Sequence, residues 1–401
     1  MEKRKDKKGR VLQLGESQRN DGRYAYKYTD TFGKPQFVYS WKLVATDKVP
    51  KGKRSCLSLR EKKAEIIRDL NDGIDNKNKK MTLVQLYEKQ NTSRANVKKG
   101  TRKGRNVLMT ALKKDELGGR SIDTIKPSDA KEWALRMSKK YSFQTINNYK
   151  RSLVASFNIA IEDDCVRKNP FSFKLSDVIE DDTKEKEVLT NIQEEKLLSF
   201  ARADNVYKYY CDSIIILLGT GLRISECLGI TVNDVDFERR LIKVDHQLLK
   251  DKDGYYIETP KSESGVRYIP MSQNVCEAFR RLLSNREHAK SIIIDGYSDF
   301  VFINKKGYPM YSAPYNKSIK LLIKKYNKKR AENILPSVTP HNFRHTFCTN
   351  MANKGMTPNN LQYIMGHKNI SMTLGYYTHG SYLSAQAEME RLAKAELQTV
   401  A

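Results

Sequence analysis

The sequence has no long apolar run, no closely spaced pair of cysteines and comparatively few acidic residues. Without an apolar run of about 18 residues or more, we expect no helix that spans a membrane. The six cysteines lie far apart and form no C-x-x-C pair, which argues against a zinc site or a disulfide framework and favours reduced thiols. The opening segment, MEKRKDKKGR, lacks the apolar stretch of a secretory signal. We therefore expect a cytoplasmic protein.

Basic residues are in large excess. Lysine and arginine total 73 against 47 acidic residues, which gives a net charge of +26 spread along all 401 residues. Such a field attracts polyanions and speeds their association. Nucleic acid is the favoured partner. A ribosome or a membrane surface would also attract this charge, but no single basic amphipathic helix dominates, which disfavours the membrane.

Residues 1–75 have the pattern of a small sheet with one helix. Residues 22–28, GRYAYKY, and residues 36–44, QFVYSWKLV, alternate in a way that is typical of half-buried antiparallel strands. Ser58 and Glu61 have the spacing of a capping box that opens a helix. We expect a three-stranded sheet whose inward aromatic residues fill a small core, while its basic and polar outward face suits a DNA groove.

Residues 81–175 have a helical periodicity that predicts an all-helical domain. Four helices are predicted, in residues 81–90, 101–115, 126–140 and 145–164. The apolar stripe of the fourth helix consists of Ile146, Tyr149, Leu153, Phe157 and Ala160. Basic residues between the stripes suit phosphate contacts as a group, although solvent exposure is the better explanation for any one of them taken alone; they are Arg102, Lys103, Arg105, Lys150 and Arg151.

From residue 185 to the end we expect a mainly helical domain with one small antiparallel sheet, so that the whole chain is α+β and multidomain. A capping box at 190–193 opens a helix, and a buried helix within 213–230 ends in a Gly-rich turn. Strands are predicted in residues 240–249, 254–259 and 265–271.

Two charged positions in this domain suggest a ligand site. Arg223 follows the buried helix and a Gly-Thr-Gly break, where glycine lets the backbone approach a ligand closely. Glu226 has the spacing to pair with it, and a surface salt bridge explains the two residues equally well. Lys261 lies in the turn between two predicted strands, where most lysines are simply solvated.

The pentapeptide HNFRH places an arginine between two histidines at the start of a predicted helix. Thr339 suits the N-cap and Pro340 the first helical position, which puts His341, Arg344 and His345 on one face. A helix N-terminus favours an anion, and a guanidinium fork favours phosphate or carboxylate. Imidazole exchanges protons near neutral pH. A solvated polar helix start is the competing interpretation.

His367 in MGHK and Tyr377 in GYYTHG complete a set of basic groups and a phenol. The set lacks the gathered carboxylates with which metal-dependent nucleases hold magnesium. Phosphoryl transfer depends mostly on positioning and on stabilisation of spread negative charge. Two guanidinium groups can clamp a phosphodiester while a tyrosine attacks phosphorus and a histidine and a lysine handle the protons.

The order of these motifs resembles that of the tyrosine recombinase family. The series consists of Arg in TGLRISE, Lys at a hairpin, HNFRH, GH and Tyr-Thr-His. The helical segment before it is similar to the family's core-binding domain, and the N-terminal unit is similar to the arm-binding domain of integrases from conjugative transposons. The resemblance implies three domains: an arm-DNA-binding domain in 1–75, a core-DNA-binding domain in 81–175 and a catalytic domain in 185–401.

The resemblance also implies a role for each residue of the set. It assigns phosphate binding to Arg223 and Arg344, general acid catalysis to Lys261, proton transfer to His341, support of the phosphate and transition state to His367, and nucleophilic attack to Tyr377. The attack forms a 3′-phosphotyrosyl bond and frees a 5′-hydroxyl. Because this bond stores the ester energy, neither ATP nor a metal cofactor is required. His345 has a structural role.

Two departures from the family pattern affect this assignment. Phe343 replaces the leucine of the family's HxLRH motif, which changes only packing. Tyr376 adjoins Tyr377, and on a helix the two would point about 100° apart, so that only one can reach the phosphate. The spacing in some relatives selects Tyr376, whereas the Tyr-Thr-His context favours Tyr377.

Partners and biological role follow from the same resemblance. It implies double-stranded DNA at core and arm sites, a homo-tetramer on paired sites, and accessory excision and DNA-bending proteins on a bacterial nucleoid. The amphipathic tail, 384–397, either caps its own domain or docks on a neighbouring protomer. The leading hypothesis is a site-specific recombinase that integrates and excises a mobile element such as a conjugative transposon. A chromosome-resolving recombinase, a non-catalytic DNA-binding regulator of the same fold and a type IB topoisomerase are the alternatives.

Overall fold

The computed structural model consists of two compact units, Met1–Lys184 and Glu185–Ala401. It describes residues 4–30, 33–71, 80–94, 96–183, 187–260, 265–328, 330, 332, 334–377 and 389. Lys261 and, apart from Met389, the tail 384–397 lie outside these ranges. Among the helices of the described ranges, none has both the length and the apolar character needed to cross a membrane.

The N-terminal part of the first unit is the predicted sheet with one helix. Three antiparallel strands in the order β1-β2-β3 are followed by α1; their bounds are β1 Glu16–Gln18, β2 Tyr24–Thr29, β3 Pro35–Ser40 and α1 Leu59–Asn71. The predicted capping box opens α1: the Ser58 backbone N–H donates to Glu61 Oε2 at 2.8 Å, and the Glu61 N–H donates to Ser58 Oγ at 3.3 Å.

The aromatic residues of β2 and β3 lie on opposite faces of this sheet. Tyr26 is paired with Val38, whereas Ala25 is paired with Tyr39, and directly opposed residues share a face. Tyr26 and Val38 pack against the small core next to α1. Tyr39 therefore lies on the outward face together with Phe37, which is 54% exposed. The two alternating aromatic series of the sequence do not form one core.

All four predicted helices are present in the rest of this unit. They are α2 Leu83–Ser93, α3 Lys99–Lys113, α4 Pro127–Ser138 and α5 Phe143–Glu162, with short 3-10 helices at Glu116–Gly119, Ile122–Thr124 and Leu175–Asp177. The predicted stripe of α5 is buried at every position. This stripe packs in a core that contains Trp133. The rings of Trp133 and Phe171 pack edge to face, with centroids 5.6 Å apart.

The second unit is mainly helical. Its helices are α6 Asn191–Ala203, α7 Cys211–Thr220, α8 Ile224–Cys227, α9 Gln273–Ser284, α10 Ser312–Asn327, α11 Pro340–Asn353, α12 Pro358–Met365 and α13 Ser371–Leu374, with 3-10 helices at Tyr207–Tyr210 and Val232–Asp234. Its strands are β4 Val235–Asp236, β5 Leu241–Val244, β6 Gln247–Asp251, β7 Gly254–Glu258 and β8 Arg267–Pro270. The apolar helix α7 lies in the centre of the core.

The strands of this unit form two sheets where the sequence predicted one. One sheet has the order β4-β5-β8, and β6 and β7 form a separate hairpin. The break falls at Asp245 and His246, within a segment predicted as a single strand. The His246 ring is buried, with Nδ1 2.6 Å from Asp245 Oδ1 and Nε2 2.7 Å from the Gly229 carbonyl oxygen. These bonds hold the chain out of strand geometry between β5 and β6.

Candidate functional site

Arg223 is positioned by the turn that ends α7. Gly221, the residue after this helix, has φ +64, in the left-handed region that favours glycine. The chain then reaches Arg223, the N-cap of α8. Its Nη1 donates to Glu226 Oε1 at 2.7 Å and its Nη2 to the Gly366 carbonyl at 3.2 Å. Because its side chain is 40% exposed, an anion can reach it from solvent.

Arg344 lies in the first turns of α11. As predicted, Thr339 is the N-cap and Pro340 the first residue of this helix. Arg344 is only 3% exposed; it donates from Nη1 to the Gly221 carbonyl at 2.7 Å and from Nη2 to the Met365 carbonyl. Burial, followed by the positive charge of Arg223, lowers its pKa to about 9. A bound phosphate would stabilise both cations.

A second buried arginine, Arg267, lies beside Arg223 and Arg344. The sequence patterns did not mark it as a site residue. Arg267 donates from Nη2 to Glu226 Oε2 at 2.9 Å. Burial alone would raise the pKa of Glu226, but Arg267, Arg223 and Arg344 together lower it to about 2. The carboxylate is therefore ionised at neutral pH and joins two guanidinium groups.

His367 lies beside the two phosphate-binding candidates. It follows Gly366, which ends α12 in the left-handed region at φ +60. The ring is buried, and its Nδ1 is 3.0 Å from Thr373 Oγ1. Burial, followed by the charges of Arg344 and Arg223, lowers the pKa of His367 to about 4. The imidazole is therefore neutral at physiological pH.

The two histidines of HNFRH have different surroundings. His341 is exposed, whereas His345 is buried. Their rings pack edge to face, with centroids 4.4 Å apart. Nδ1 of His345 forms a hydrogen bond with the Tyr376 hydroxyl. Burial raises the pKa of Tyr376 to about 12. His345 therefore contacts a tyrosine side chain in a buried position.

Tyr377 packs beside Tyr376 against the small cluster formed by α11 and α12. Its hydroxyl donates to the Met356 carbonyl, and burial raises its pKa. The two adjacent phenols are therefore bonded to different partners. The structure brings Arg223, Arg344 and His367 together; Lys261 lies outside the described residues.

Asp234, Asp245 and His246 also bring ligand-type atoms close together. Both ring nitrogens of His246 already take part in the hydrogen bonds that divide β5 from β6. This cluster therefore has a structural explanation.

Comparison with known proteins identifies the family. Residues 187–383 match the phage integrase family, and residues 1–70 match the DNA binding domain of Tn916 integrase. The transposase from transposon Tn916 of Enterococcus faecalis is 63% identical over 399 residues, which cover 99% of this chain and 98% of that protein. The chain belongs to the phage integrase family. It is thus a tyrosine recombinase, an enzyme that cleaves and rejoins DNA strands through a tyrosine.

Other relatives and solved structures agree with the family assignment. The transposase from transposon Tn1545 of Streptococcus pneumoniae is also 63% identical over 399 residues, with 99% of this chain and 98% of that protein covered. The Tn1549 transposon integrase in complex with a circular intermediate DNA is 56% identical, with a TM-score of 0.75 over 78% of this chain and 99% of that one. A lambda integrase dimer bound to a core site has the same fold. It is 14% identical, with a TM-score of 0.54 over 92% of this chain and 95% of that one.

Proposed function

We propose that this tyrosine recombinase is the integrase of a conjugative transposon, which joins the element to a target DNA and releases it again. The observation that carries the proposal is that Arg223 and Arg344 are held by the carbonyls of Gly366 and Gly221, close enough to buried His367 for both charges to lower its pKa. Relatives named for the transposons Tn916, Tn1545 and Tn1549 support the choice of element.

In this proposal the two arginines bind the scissile phosphate. Arg223 reaches it from the exposed side, and Arg344 contributes a charge that burial makes costly without an anion. Charge that develops on the non-bridging oxygens is stabilised by groups already in place, which is the most effective form of electrostatic catalysis. His367 is neutral at physiological pH. It donates or accepts a hydrogen bond at the scissile phosphate and adds no further positive charge beside Arg223 and Arg344.

The chemical step exchanges one phosphoester for another. The tyrosine oxygen bonds to phosphorus while the bond from phosphorus to the 5′-oxygen breaks. His341, which is exposed, accepts the phenol proton, and Lys261 gives a proton to the departing 5′-oxygen. Rejoining is the reverse reaction with a different 5′-hydroxyl. The number of ester bonds is conserved, and no nucleotide is consumed.

Tyr377 is the proposed nucleophile. The hydroxyl of Tyr376 bonds to buried His345, whereas that of Tyr377 only has to leave a backbone carbonyl. Solved complexes of the Tn1549 integrase include one with an arginine replaced by lysine and one with a tyrosine replaced by phenylalanine. Those two positions are separated by as many residues as Arg223 and Tyr377, which supports Tyr377 over its neighbour.

A covalent-adduct assay tests the proposal. The protein is incubated with a nicked DNA duplex carrying the end of the element, and the products are separated under denaturing conditions. The unsubstituted chain and Tyr376→Phe are expected to form a protein–DNA adduct, whereas Tyr377→Phe binds the DNA and forms none. An adduct lost in Tyr376→Phe and kept in Tyr377→Phe would reverse the choice of nucleophile. No adduct from the unsubstituted protein would contradict the recombinase function.

The proposed DNA partners divide along the chain. Residues 1–75 bind arm sites through the outward face of the sheet. On this face the Cζ atoms of Arg19 and Arg23 lie 5.1 and 5.4 Å from the centroid of the Tyr39 ring. Residues 81–175 and the catalytic domain 185–401 each bind the core site. Four copies assemble on paired sites, with accessory excision and DNA-bending proteins, on the nucleoid in a bacterial cytoplasm. Cross-linking of the protein on paired core sites, with a single site as control, tests the tetramer.

A further inference from the structure

We propose that Arg267 is a positioning residue for strand cleavage, which holds Arg223 through Glu226 and holds the turn before His367 through Ile364. The inference rests on the phosphate-binding role proposed for Arg223 and His367. No motif of the sequence marks this residue, because it lies at an inward position of a strand where an apolar side chain is expected.

The guanidinium of Arg267 contacts three separate parts of the second unit. The residue is 1% exposed. Nε donates to the Ile364 carbonyl at 2.7 Å, Nη2 donates to Glu226 Oε2 at 2.9 Å, and Nη1 donates to the Gly265 carbonyl at 3.1 Å. A buried cation with donors in three directions fixes the relative positions of the groups that it binds.

Glu226 transmits this position to Arg223. Its Oε1 accepts from Nη1 of Arg223 at 2.7 Å, and its Oε2 accepts from the Arg223 backbone N–H at 3.0 Å. The carboxylate thus lies between two guanidinium groups. Arg267 is enclosed by protein, whereas Arg223 is partly exposed. The enclosed arginine sets the orientation of the one that meets the phosphate.

The same guanidinium also supports the turn that carries His367. Gly366 accepts a hydrogen bond from Arg223 Nη2 at 3.2 Å. A Cβ atom on Gly366 would lie 3.0 Å from Arg267 Nη1 and 3.1 Å from its Cζ. The backbone of this turn therefore lies directly against the Arg267 side chain. A shift of Arg267 would displace both Arg223 and the residue before His367.

Arginine is required here because of its shape. A lysine ammonium keeps the charge, but it is a compact group that cannot bond in line with both Ile364 and Glu226. In Arg267→Lys the carboxylate keeps a cationic partner, so the unit folds, while the fixed geometry around Arg223 is lost. A displacement of about 1 Å in a group that binds the reacting centre lowers a rate by roughly 10²-fold.

Single-turnover cleavage with saturating nicked DNA separates this role from a general loss of structure. For Arg267→Lys we expect a lowered unfolding midpoint, because a buried carbonyl loses its donor, in a chain that stays folded at the assay temperature. Its DNA dissociation constant should be close to that of the unsubstituted protein, and its adduct-forming rate should be lower by about 10²-fold. Arg136→Lys is the matched control, because Arg136 also forms a two-pronged pair with a carboxylate, Asp115, at 3.1 and 2.9 Å. This control is expected to cleave at the normal rate.

A substrate with an uncharged methylphosphonate at the cleavage position gives the decisive readout. It has less charge for Arg223 to stabilise, so the defect of Arg267→Lys should shrink from about 10²-fold to less than about tenfold. An equal defect on both substrates, a normal rate in Arg267→Lys, or a variant that unfolds or no longer binds DNA would each overturn the positioning role. Absence of an adduct from the unsubstituted protein would instead overturn the function on which it rests.

Discussion

At the residue scale, the site depends on ionisable groups that are buried beside cations. His367 shows the consequence most directly, because burial and the charges of Arg344 and Arg223 lower its pKa to about 4, from an ordinary value near 6.5. As the pH falls, the unfolded chain binds this proton before the folded chain does. The contribution of a neutral His367 to stability is therefore fully present above pH 6.5 and is lost progressively as the pH falls towards 4.

The difference between the folded and unfolded pKa values of His367 predicts that the unfolding free energy depends on pH. Replacement of the imidazole should remove this part of the dependence. Between pH 7 and pH 4.5 the unsubstituted protein should lose up to about 3 kcal/mol more of its unfolding free energy than His367→Gln does. Urea unfolding at a series of pH values measures the difference. His288→Gln replaces an exposed histidine and controls for the loss of one imidazole. Parallel curves for the unsubstituted protein and His367→Gln would contradict the pKa assignment.

The neighbouring phenols should differ in their effect on stability. Tyr376→Phe removes the hydroxyl that bonds to His345 in a buried position, and the loss of a partner for a buried polar atom costs about 1–3 kcal/mol. Tyr377→Phe removes a hydrogen bond to a backbone carbonyl, for which we expect a loss of at most about 1.5 kcal/mol. Chemical unfolding of the two variants checks the order. The reverse order would show that the His345 contact contributes little.

At the element scale, the end of α7 connects the core to the site. Gly221 has φ +64, and its carbonyl accepts from Arg344. A Cβ atom there would lie 2.4 Å from Phe347 Cδ1. Gly221→Ala should therefore cost at least about 2 kcal/mol of unfolding free energy, by combining left-handed strain with overpacking, and it should abolish adduct formation by displacing Arg344.

Gly355 provides the matched comparison for this prediction. It has φ +81, but a Cβ atom there would meet nothing within 4 Å. Gly355→Ala should therefore show only the conformational cost, about 1–2 kcal/mol, with cleavage retained. Urea unfolding and the adduct assay on both variants distinguish strain from steric overlap. Equal losses in the two variants would mean that the overlap with Phe347 is relieved at little cost.

Sequence patterns predicted the elements that rest on local rules. Periodicity and capping residues located α2 to α5, the start of α6 at Thr190 and the start of α11 at Thr339. They did not predict the division of the second sheet, because a buried hydrogen bond from His246 to the distant Gly229 breaks the strand. Arg267 was missed for the same reason: its partners Glu226 and Ile364 become neighbours only in the fold.

At the scale of the whole molecule, the net charge of +26 should govern DNA affinity. Each phosphate neutralised by lysine or arginine releases counterions, so that the logarithm of the association constant falls linearly with the logarithm of salt concentration. With six or more phosphate contacts, affinity should fall by about 10³-fold or more between 50 and 200 mM salt. Fluorescence anisotropy with labelled DNA measures the slope. A flat response would contradict binding through phosphates.

The distribution of this charge gives a more specific prediction. If the outward face of the N-terminal sheet binds arm sites, replacement of Arg19 and Arg23 by glutamine should lower the salt slope by up to about 2 on arm-site DNA, because each arginine that neutralises a phosphate accounts for about one unit of slope. On core-site DNA the slope should not change, because that duplex is bound by other parts of the chain. Lys317→Gln with Lys320→Gln, on the exposed side of α10, is the charge-matched control for the arm site. Equal reductions by both pairs would show that arm binding responds to total charge and not to this face of the sheet.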